Sequence, residues 1–466
     1  MAASLPTDAH AGDLAFARAV AARLQEAGFQ AYFAGGCVRD RLMHRVPSDY
    51  DVATDATPPE VMKLFPRHSA VGAQFGVVLA HDRETGAEAA NLTDAAPAQP
   101  PAARDVAVAT FRTESSYRDG RHPEGVRYAR RPEEDVARRD FTVNGLLYDP
   151  IADQLLDFVG GREDLTRRVI RAIGDPVERF AEDRLRLLRA IRFAARLEFA
   201  IEPATWRALQ AAAPAILGIS PERIRDEILR MLTEGRARRA FELLADSGLL
   251  EILLPEVARM RGVEQPPQFH PEGDVWTHTL MMLEGLPAGA SATLALGVLL
   301  HDVGKPPTFR RAPDRIRFDR HAEAGAALAR EIARRLVLSG ADSERLVALV
   351  AGHMRFMDAP RMRPATLKRF LRQPGFDDHL ELHRLDCRMS HGGLETYEFV
   401  RAARARIPAE ELHPPRLLTG RDLIALGYAP GPRFKEILRA VEEAQLEGTL
   451  TAPAEAQAWV RQHWPE

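Results

Sequence analysis

Apolar and polar positions divide the chain into a strand-rich first part and a helical remainder. Residues 13–27 (DLAFARAVAARLQEA) repeat apolar positions at helical spacing and stop at Gly28, which predicts a helix. Ala31-Tyr32-Phe33 predicts a strand that ends at Gly35-Gly36, with a short helix after it. Ser48 to Val52 alternates, so Asp49 and Asp51 fall on one strand face and Tyr50 and Val52 on the other. Thr57-Pro58-Pro59-Glu60 reads as a helix start, with Thr57 as the cap and Glu60 three residues on. Phe75–Ala80 and Asp105–Arg112 read as further strands, separated by the aperiodic, Ala- and Pro-rich stretch 82–104, an insertion. Thr113–Pro123 is polar, with Gly120 and Pro123 as breakers, and reads as a loop. From residue 170 onward the spacing is helical. The Pro-rich run at Val263–Pro271 marks a boundary, and further apolar helices follow it. The expected fold class is α+β: a mixed sheet with helices, then all-helical segments.

With 466 residues, 45% of them hydrophobic and 28% charged, the chain is long enough for two to four globular domains. No apolar run reaches the ~18 residues that span a membrane, so no membrane partner is expected. The first residues, MAASLPTDAHAGD, show no basic segment followed by an apolar one, and Cys37 and Cys387 stand too far apart in sequence for a metal or disulfide framework. A cytoplasmic enzyme is the expectation. A net charge of −3 does not itself advertise nucleic-acid binding. Lysine occurs only at Lys63, Lys305, Lys368 and Lys435, so nearly all cationic charge is arginine; a coding bias explains this as well as phosphate recognition does.

Candidate chemistry concentrates first in Gly35–Thr54. Gly35 and Gly36 permit a sharp turn and close approach to a ligand, the helix after them presents unpaired N–H groups, and Arg39 adds a cation nearby. Asp49 and Asp51 side by side repel each other, and a divalent cation removes that repulsion. A phosphate cradle beside such a pair suggests nucleotidyl transfer with Mg²⁺. Further along, Asp140 and Asn144 are four apart, suited to hydrogen-bonding a ribose if helical, with Arg139 beside them for phosphate. A salt-bridged helix explains these three equally well. Beyond the Pro-rich boundary, His278, His301-Asp302, His321, His353 and Asp386 form a second set. Imidazoles and carboxylates of this kind hold divalent cations that activate water against a phosphate ester. His321 and His353 read equally as buried core histidines. Lys305, one turn after Asp302, can meet the phosphate.

GGCVRD followed by SDYDVAT resembles the first motif of the class II CCA-adding enzyme and bacterial poly(A) polymerase family, within the polymerase β nucleotidyltransferase superfamily. RRDFTVNG at 138–145, DFVGGREDL at 157–165, EDRLR at 182–186 and SPERIRDEILRML at 220–232 resemble its later motifs, and HDVGK with its ordered His and Asp partners resembles HD-domain phosphohydrolases. The resemblance covers nearly the whole chain. It implies a polymerase β-like catalytic head over 1–160, a helical neck and body over 161–265, an HD domain over 266–400 and a helical tail over 401–466. It implies addition of the 3′-terminal CCA of tRNA from CTP and ATP, by a monomer or homodimer. Asp49 and Asp51 would be catalytic ligands of Mg²⁺. Gly35, Gly36, Arg39, Arg112, Arg139, Asp140, Asn144, Asp183 and Arg186 would bind nucleotide, with Asp183 and Arg186 on one helix reading the base edge. His278, His301, Asp302 and Asp386, joined by His321 and His353, would hold Mg²⁺, Mn²⁺, Ni²⁺ or Co²⁺. Two positions depart from the pattern: Ala107 stands where the family usually has Glu, with Asp105 a candidate stand-in on the same strand face, and Arg184 stands where Pro is common. Rival readings are a poly(A) polymerase, a CC- or A-adding enzyme, and an RNA end-repair hydrolase centred on the HD set.

Overall fold

The computed structural model describes residues 8–70, 76–82, 104–114, 126–268 and 270–465. The 82–104 insertion and the 113–123 loop fall almost wholly outside these residues, as does the strand start expected at Phe75. Two compact units are present, Met1–Met231 with Arg239–Leu253, and Leu232–Arg238 with Leu254–Glu466.

The first unit opens with α1 (Asp8–Glu26), β1 (Ala31–Ala34), α2 (Gly36–Leu42), β2 (Asp51–Thr54), α3 (Pro58–Leu64), β3 (His68–Ser69), β4 (Val77–His81) and β5 (Asp105–Thr110). A short ribbon of β6 (Arg112–Glu114) and β7 (Val126–Tyr128) leads to α4 (Pro132–Ala137), β8 (Leu147–Asp149) and β9 (Gln154–Leu156). The main sheet runs β3-β4-β5-β2-β1-β8-β9. It is mixed: β2 and β5 are parallel, while β1 is antiparallel to both β2 and β8. Alternation sorts the two faces as expected. Phe33, Tyr50, Val52, Val106 and Val108 join Ala17, Val20 and Leu24 of α1 in one core, while Ala34, Ala53, Phe111 and Leu147 face Val136 of α4 on the other. The cap at Thr57 is also present, its N–H donating to Glu60 Oε2 at 2.7 Å.

The unit then turns helical through α5 (Gly161–Arg167), α6 (Pro176–Glu182), α7 (Arg186–Leu197), α8 (Pro203–Ala212), α9 (Pro221–Thr233), α10 (Ala237–Asp246) and α11 (Leu249–Leu253). Two two-residue strands, β10 (Val169–Ile170) and β11 (Ala200–Ile201), pair in parallel within this region.

The second unit comprises α12 (Pro255–Ala258), α13 (Val275–Glu284), α14 (Ala292–Leu300), α15 (Lys305–Thr308), α16 (His321–Arg335), α17 (Gly340–Gly352), α18 (Pro364–Leu371), α19 (Phe376–Met389) and α20 (Glu395–Arg406), then further helices toward the end. It is not wholly helical: β12 (Phe309–Arg311) and β13 (Ile316–Phe318) form an antiparallel hairpin. The segment Leu232–Arg238 belongs to this unit although the chain on either side of it belongs to the first. Gly289 N–H donates to Thr233 O at 3.1 Å, and Arg238 pairs with Glu284 at 2.6 Å. Leu418, Leu423, Ile437, Val441 and Val460 build a small core in the tail, closed by Tyr428 Oη donating to Trp464 O at 2.6 Å.

Candidate transferase and metal-binding sites

Gly35 adopts φ +71°, which side chains rarely tolerate, and a Cβ there would lie 3.2 Å from Arg139 Nη1, so the turn favours glycine. Asp51 begins β2 and Asp49 lies two residues before it. Both are exposed, and among the described residues neither is ion-paired. Although Asp51 is open to solvent, neighbouring protein partly desolvates its carboxyl, which with the Asp49 charge pushes it up to about 6, against the pull of Arg139. An exposed pair that resists double ionisation fits a divalent cation. The strand register sets Ala107 directly beside Asp51. Asp105 pairs across the sheet with His81, whose Nδ1 sits 2.6 Å from Asp105 Oδ1. Asp49, Asp51 and Asp105 do not converge as a cluster with ligand atoms within 4.8 Å of one another. Asp105 shares the strand face but does not bring its carboxylate to the pair.

Other nucleotide-facing expectations need correction. Arg39 is buried: its Nη1 donates to Asn144 Oδ1 at 2.6 Å and its Nε to Asp40 Oδ1 at 2.8 Å. Asp140 and Asn144 do not lie on an α-helix, because α4 ends at Ala137 and only Thr142–Asn144 makes a 3₁₀ turn. They do meet, Asn144 Nδ2 donating to Asp140 Oδ1 at 3.1 Å, but inside a buried network. Asp140 also accepts from Arg189 Nε at 2.8 Å, and burial is outweighed by Arg189 so that its carboxyl falls below the usual range. Asp183 and Arg186 do not share one continuous helix. Asp183 caps the end of α6 and α7 starts at Arg186. Asp183 accepts from Leu185 N–H at 3.0 Å and from Arg223 Nη2 at 3.0 Å, so Arg223 braces it from α9. Arg186 is turned inward, donating to Glu182 Oε2 at 2.8 Å and Arg138 O at 2.7 Å. Arg112 is tied through its backbone, its N–H donating to Asp135 Oδ1 at 3.3 Å. The sequence reading missed Asp135, which is buried and holds both Arg138 (2.6 Å) and Arg139 (3.0 Å).

In the second unit every predicted metal ligand converges. His301 and Asp302 follow α14, His321 starts α16, His353 follows α17, His278 lies on α13 and Asp386 on α19. His301, His321 and His353 each set Nδ1 against a backbone carbonyl three residues back, at 2.9, 2.9 and 2.7 Å. A nitrogen so placed donates, which leaves Nε2 as a lone pair, the tautomer a metal needs. His321 Nε2 and His353 Nε2 stand 3.2 Å apart, and 3.7 and 3.8 Å from Asp302 Oδ1. His301 Nε2 is buried 3.2 Å from Asp302 Oδ2, without the geometry of a hydrogen bond. Three imidazole lone pairs facing one carboxylate fit one or two divalent cations. Burial depresses His353 to about 4 and lowers His321 as well, keeping both neutral. Burial also depresses His278, but the Asp386 and Glu272 carboxylates outweigh it and hold the imidazole at about 9.

Glu272 and His270 were also missed. Glu272 Oε1 lies 2.6 Å from His278 Nδ1 and 2.9 Å from His270 Nδ1. Lys305 is buried, with Nζ 2.6 Å from Asp302 Oδ2 and 2.6 Å from Gln265 Oε1. The glycine of HDVGK has its own reason: a Cβ on Gly304 would sit 2.0 Å from His321 O and 2.5 Å from Gly325 N, so α16 approaches only because Gly304 has none.

Three family models match in chain order: the poly(A) polymerase head domain over 31–171, the probable RNA- and SrmB-binding site of polymerase A over 198–260, and the HD domain over 274–385. An A-adding tRNA nucleotidyltransferase of Deinococcus radiodurans is 39% identical over 72% of this chain and 80% of its own length. The chain belongs to the CCA-adding tRNA nucleotidyltransferase family. It is thus a transferase of tRNA processing, with a mixed-sheet head and a C-terminal HD domain. A CCA-adding enzyme of Lactobacillus helveticus is 38% identical over 56% of this chain and 61% of that enzyme. Among solved structures, the Bacillus stearothermophilus CCA-adding enzyme in complex with CTP matches 96% of each chain with a TM-score of 0.70 and 27% identity. The Thermotoga maritima CCA-adding enzyme complexed with tRNA shares the fold at a TM-score of 0.52 and 18% identity, over 96% of this chain and 95% of that one. Among the described residues no helix is long and apolar enough to cross a membrane.

Proposed function

We propose that this enzyme builds the complete CCA end on tRNA, using CTP and then ATP, in the cytoplasm. The observation that carries the transferase site is the exposed Asp49/Asp51 pair beside the Gly35 turn. Mg²⁺ held there would activate the tRNA 3′-hydroxyl and stabilise the leaving pyrophosphate. The chain's own part is positioning. Gly35 clears space for the triphosphate, Arg139 lies over that space, and Asp135 fixes Arg139. Asp183, held by Arg223, stays the candidate that accepts from the base edge, while Arg186 braces α6 against α7. The division at about residues 160, 265 and 400 belongs to the same reading.

The Deinococcus relative favours a second reading, addition of the terminal A alone. Incubation with tRNA ending before C, after C or after CC, with CTP and ATP separately and together, decides it by sequencing the 3′ ends. Growth by CTP supports full CCA addition, and growth only of the CC-ended tRNA overturns it. Loss of all addition in Asp49→Ala and Asp51→Ala tests the site; near-normal turnover with Mg²⁺ would remove it.

The HD domain would hydrolyse phosphate esters at damaged tRNA ends, clearing the 3′-hydroxyl for extension. A divalent cation such as Mg²⁺, Mn²⁺, Ni²⁺ or Co²⁺, held by His301, Asp302, Asp386, His278, His321 and His353, would activate water there. Asp302→Ala should abolish phosphohydrolysis and spare addition to hydroxyl-ended tRNA. No hydrolysis by the wild type with any of the four metals would refute the reading.

A further inference from the structure

The ligand cluster of the second unit occupies only part of the cavity it opens into. That cavity measures about 390 Å³, within the ~300–1,000 Å³ range of small-molecule sites. Its walls carry three kinds of chemistry. Asp302, His321, His353 and Asp386 are the ligand-type groups, and Lys305, Arg315 and Arg317 are the cations. Part of the remaining wall is apolar, Ile316 and Phe318 from β13 with Met354 and Met357, while Asp319, His383, Ser390 and His391 add polar groups elsewhere on it.

The two methionines are anomalous as structural residues. They lie in the 3₁₀ stretch His353–Arg361, where Phe356 points inward, fully buried and stacked on His383 with ring centroids 4.3 Å apart. Met354 and Met357 instead remain 46% and 57% exposed while lining the cavity. A small phosphate ester needs the ligands and the cations but not an apolar shelf. A nucleotide needs all three. Thioether side chains are polarizable and flexible, so they contact aromatic rings without demanding one ring shape.

Resting on the phosphohydrolase reading above, we infer that Met354 and Met357, with Ile316, form a nucleobase platform. The cavity therefore selects a phosphorylated nucleoside end over small phosphate esters. The phosphate sits toward Asp302 and Lys305, and the base lies on the methionines that directly follow the ligand-type His353. The platform predicts tolerance of base identity, as suits ends of varied sequence.

Calorimetric titration of the full-length protein with Mn²⁺ tests this, using adenosine 3′-monophosphate, cytidine 3′-monophosphate and glycerol 2-phosphate as probes. Binding that survives in Asp302→Ala belongs to the transferase region and is subtracted. Both nucleotides should bind at least tenfold more tightly than glycerol 2-phosphate. The double variant Met354→Ser/Met357→Ser should shrink that ratio below threefold, and Met354→Leu/Met357→Leu should restore most of it. Equal affinity of the three probes for the wild type overturns the platform, which needs no variant to fold. An undiminished ratio in the serine variant overturns it too. If the ratio behaves as expected but no ester is hydrolysed, the platform stands and the phosphohydrolase reading falls.

Discussion

Replacing Asp135 by Asn tests whether one buried carboxylate sets the geometry of the nucleotide side. Asp135 Oδ1 accepts from Arg138 Nη2 at 2.6 Å and Nε at 2.9 Å, and Oδ2 accepts from Arg139 Nη2 at 3.0 Å. The arginines pull its carboxyl below the usual range despite its burial, so it is charged throughout the working pH range. Removing one partner of a fully buried pair costs about 3–5 kcal/mol. Here the Arg138 and Arg139 side chains keep 20% and 19% of their exposure, so water recovers part of the loss. Asparagine also retains one acceptor. The expected cost is about 2 kcal/mol, read from the urea unfolding midpoint. A loosened Arg139 should also raise KM for CTP and ATP about tenfold, equivalent to about 1.4 kcal/mol, with a smaller change in kcat. A loss below about 0.5 kcal/mol would show that the pairs carry no weight. Lost stability with unchanged KM would make Asp135 a brace with no bearing on the nucleotide.

Glu272→Gln should weaken Mn²⁺ or Ni²⁺ binding by the HD domain about 10- to 100-fold, because the carboxylate orients His278; unchanged affinity in a calorimetric titration refutes that role. Gly304→Ala should lower Tm and metal affinity together, since its Cβ would meet the backbone of His321 and Gly325; wild-type values for both would show that α16 can shift at no cost. His379 is held down at about 4 by burial, helped by Arg355, against an ordinary value of 6.5. The unfolded chain therefore gains its proton first, and stability falls as pH drops from 6.5 toward 4, by about 2 kcal/mol at pH 5. His379→Leu should flatten that decline in urea melts at pH 7.5 and 5, and an identical slope would refute the assignment.

Local pattern carried the parts of this chain that local pattern can encode. The Gly35 turn, the inward Tyr50 and Val52, the Thr57 cap and the order of the HD ligands follow from spacing over a few residues. Long-range pairing of arginines did not show in that way. Arg39 looks like a free cation beside a phosphate turn, yet Asn144, far along the chain, turns it inward. Arg186 looks like a partner of Asp183, yet the helix breaks between them and Arg138 O claims it. His270 sits in the Pro-rich run that reads as a boundary and Glu272 just after it, and only the fold sets them beside His278. A signal was available for them: two chemically active residues in a segment that otherwise has no periodicity.

The excursion of Leu232–Arg238 into the second unit has a consequence for dissecting the enzyme. The chain passes between the units after Met231, after Arg238 and after Leu253, so no single peptide bond separates them. A nick after Met231 leaves Arg239–Leu253 on the far fragment while its packing belongs to the first unit. Fragments from such a nick stay associated, and gel filtration under native conditions should show one species where denaturing electrophoresis shows two. An HD fragment that begins at residue 254 lacks the strap through Thr233 and Arg238, and should be less stable than the same domain within the full chain.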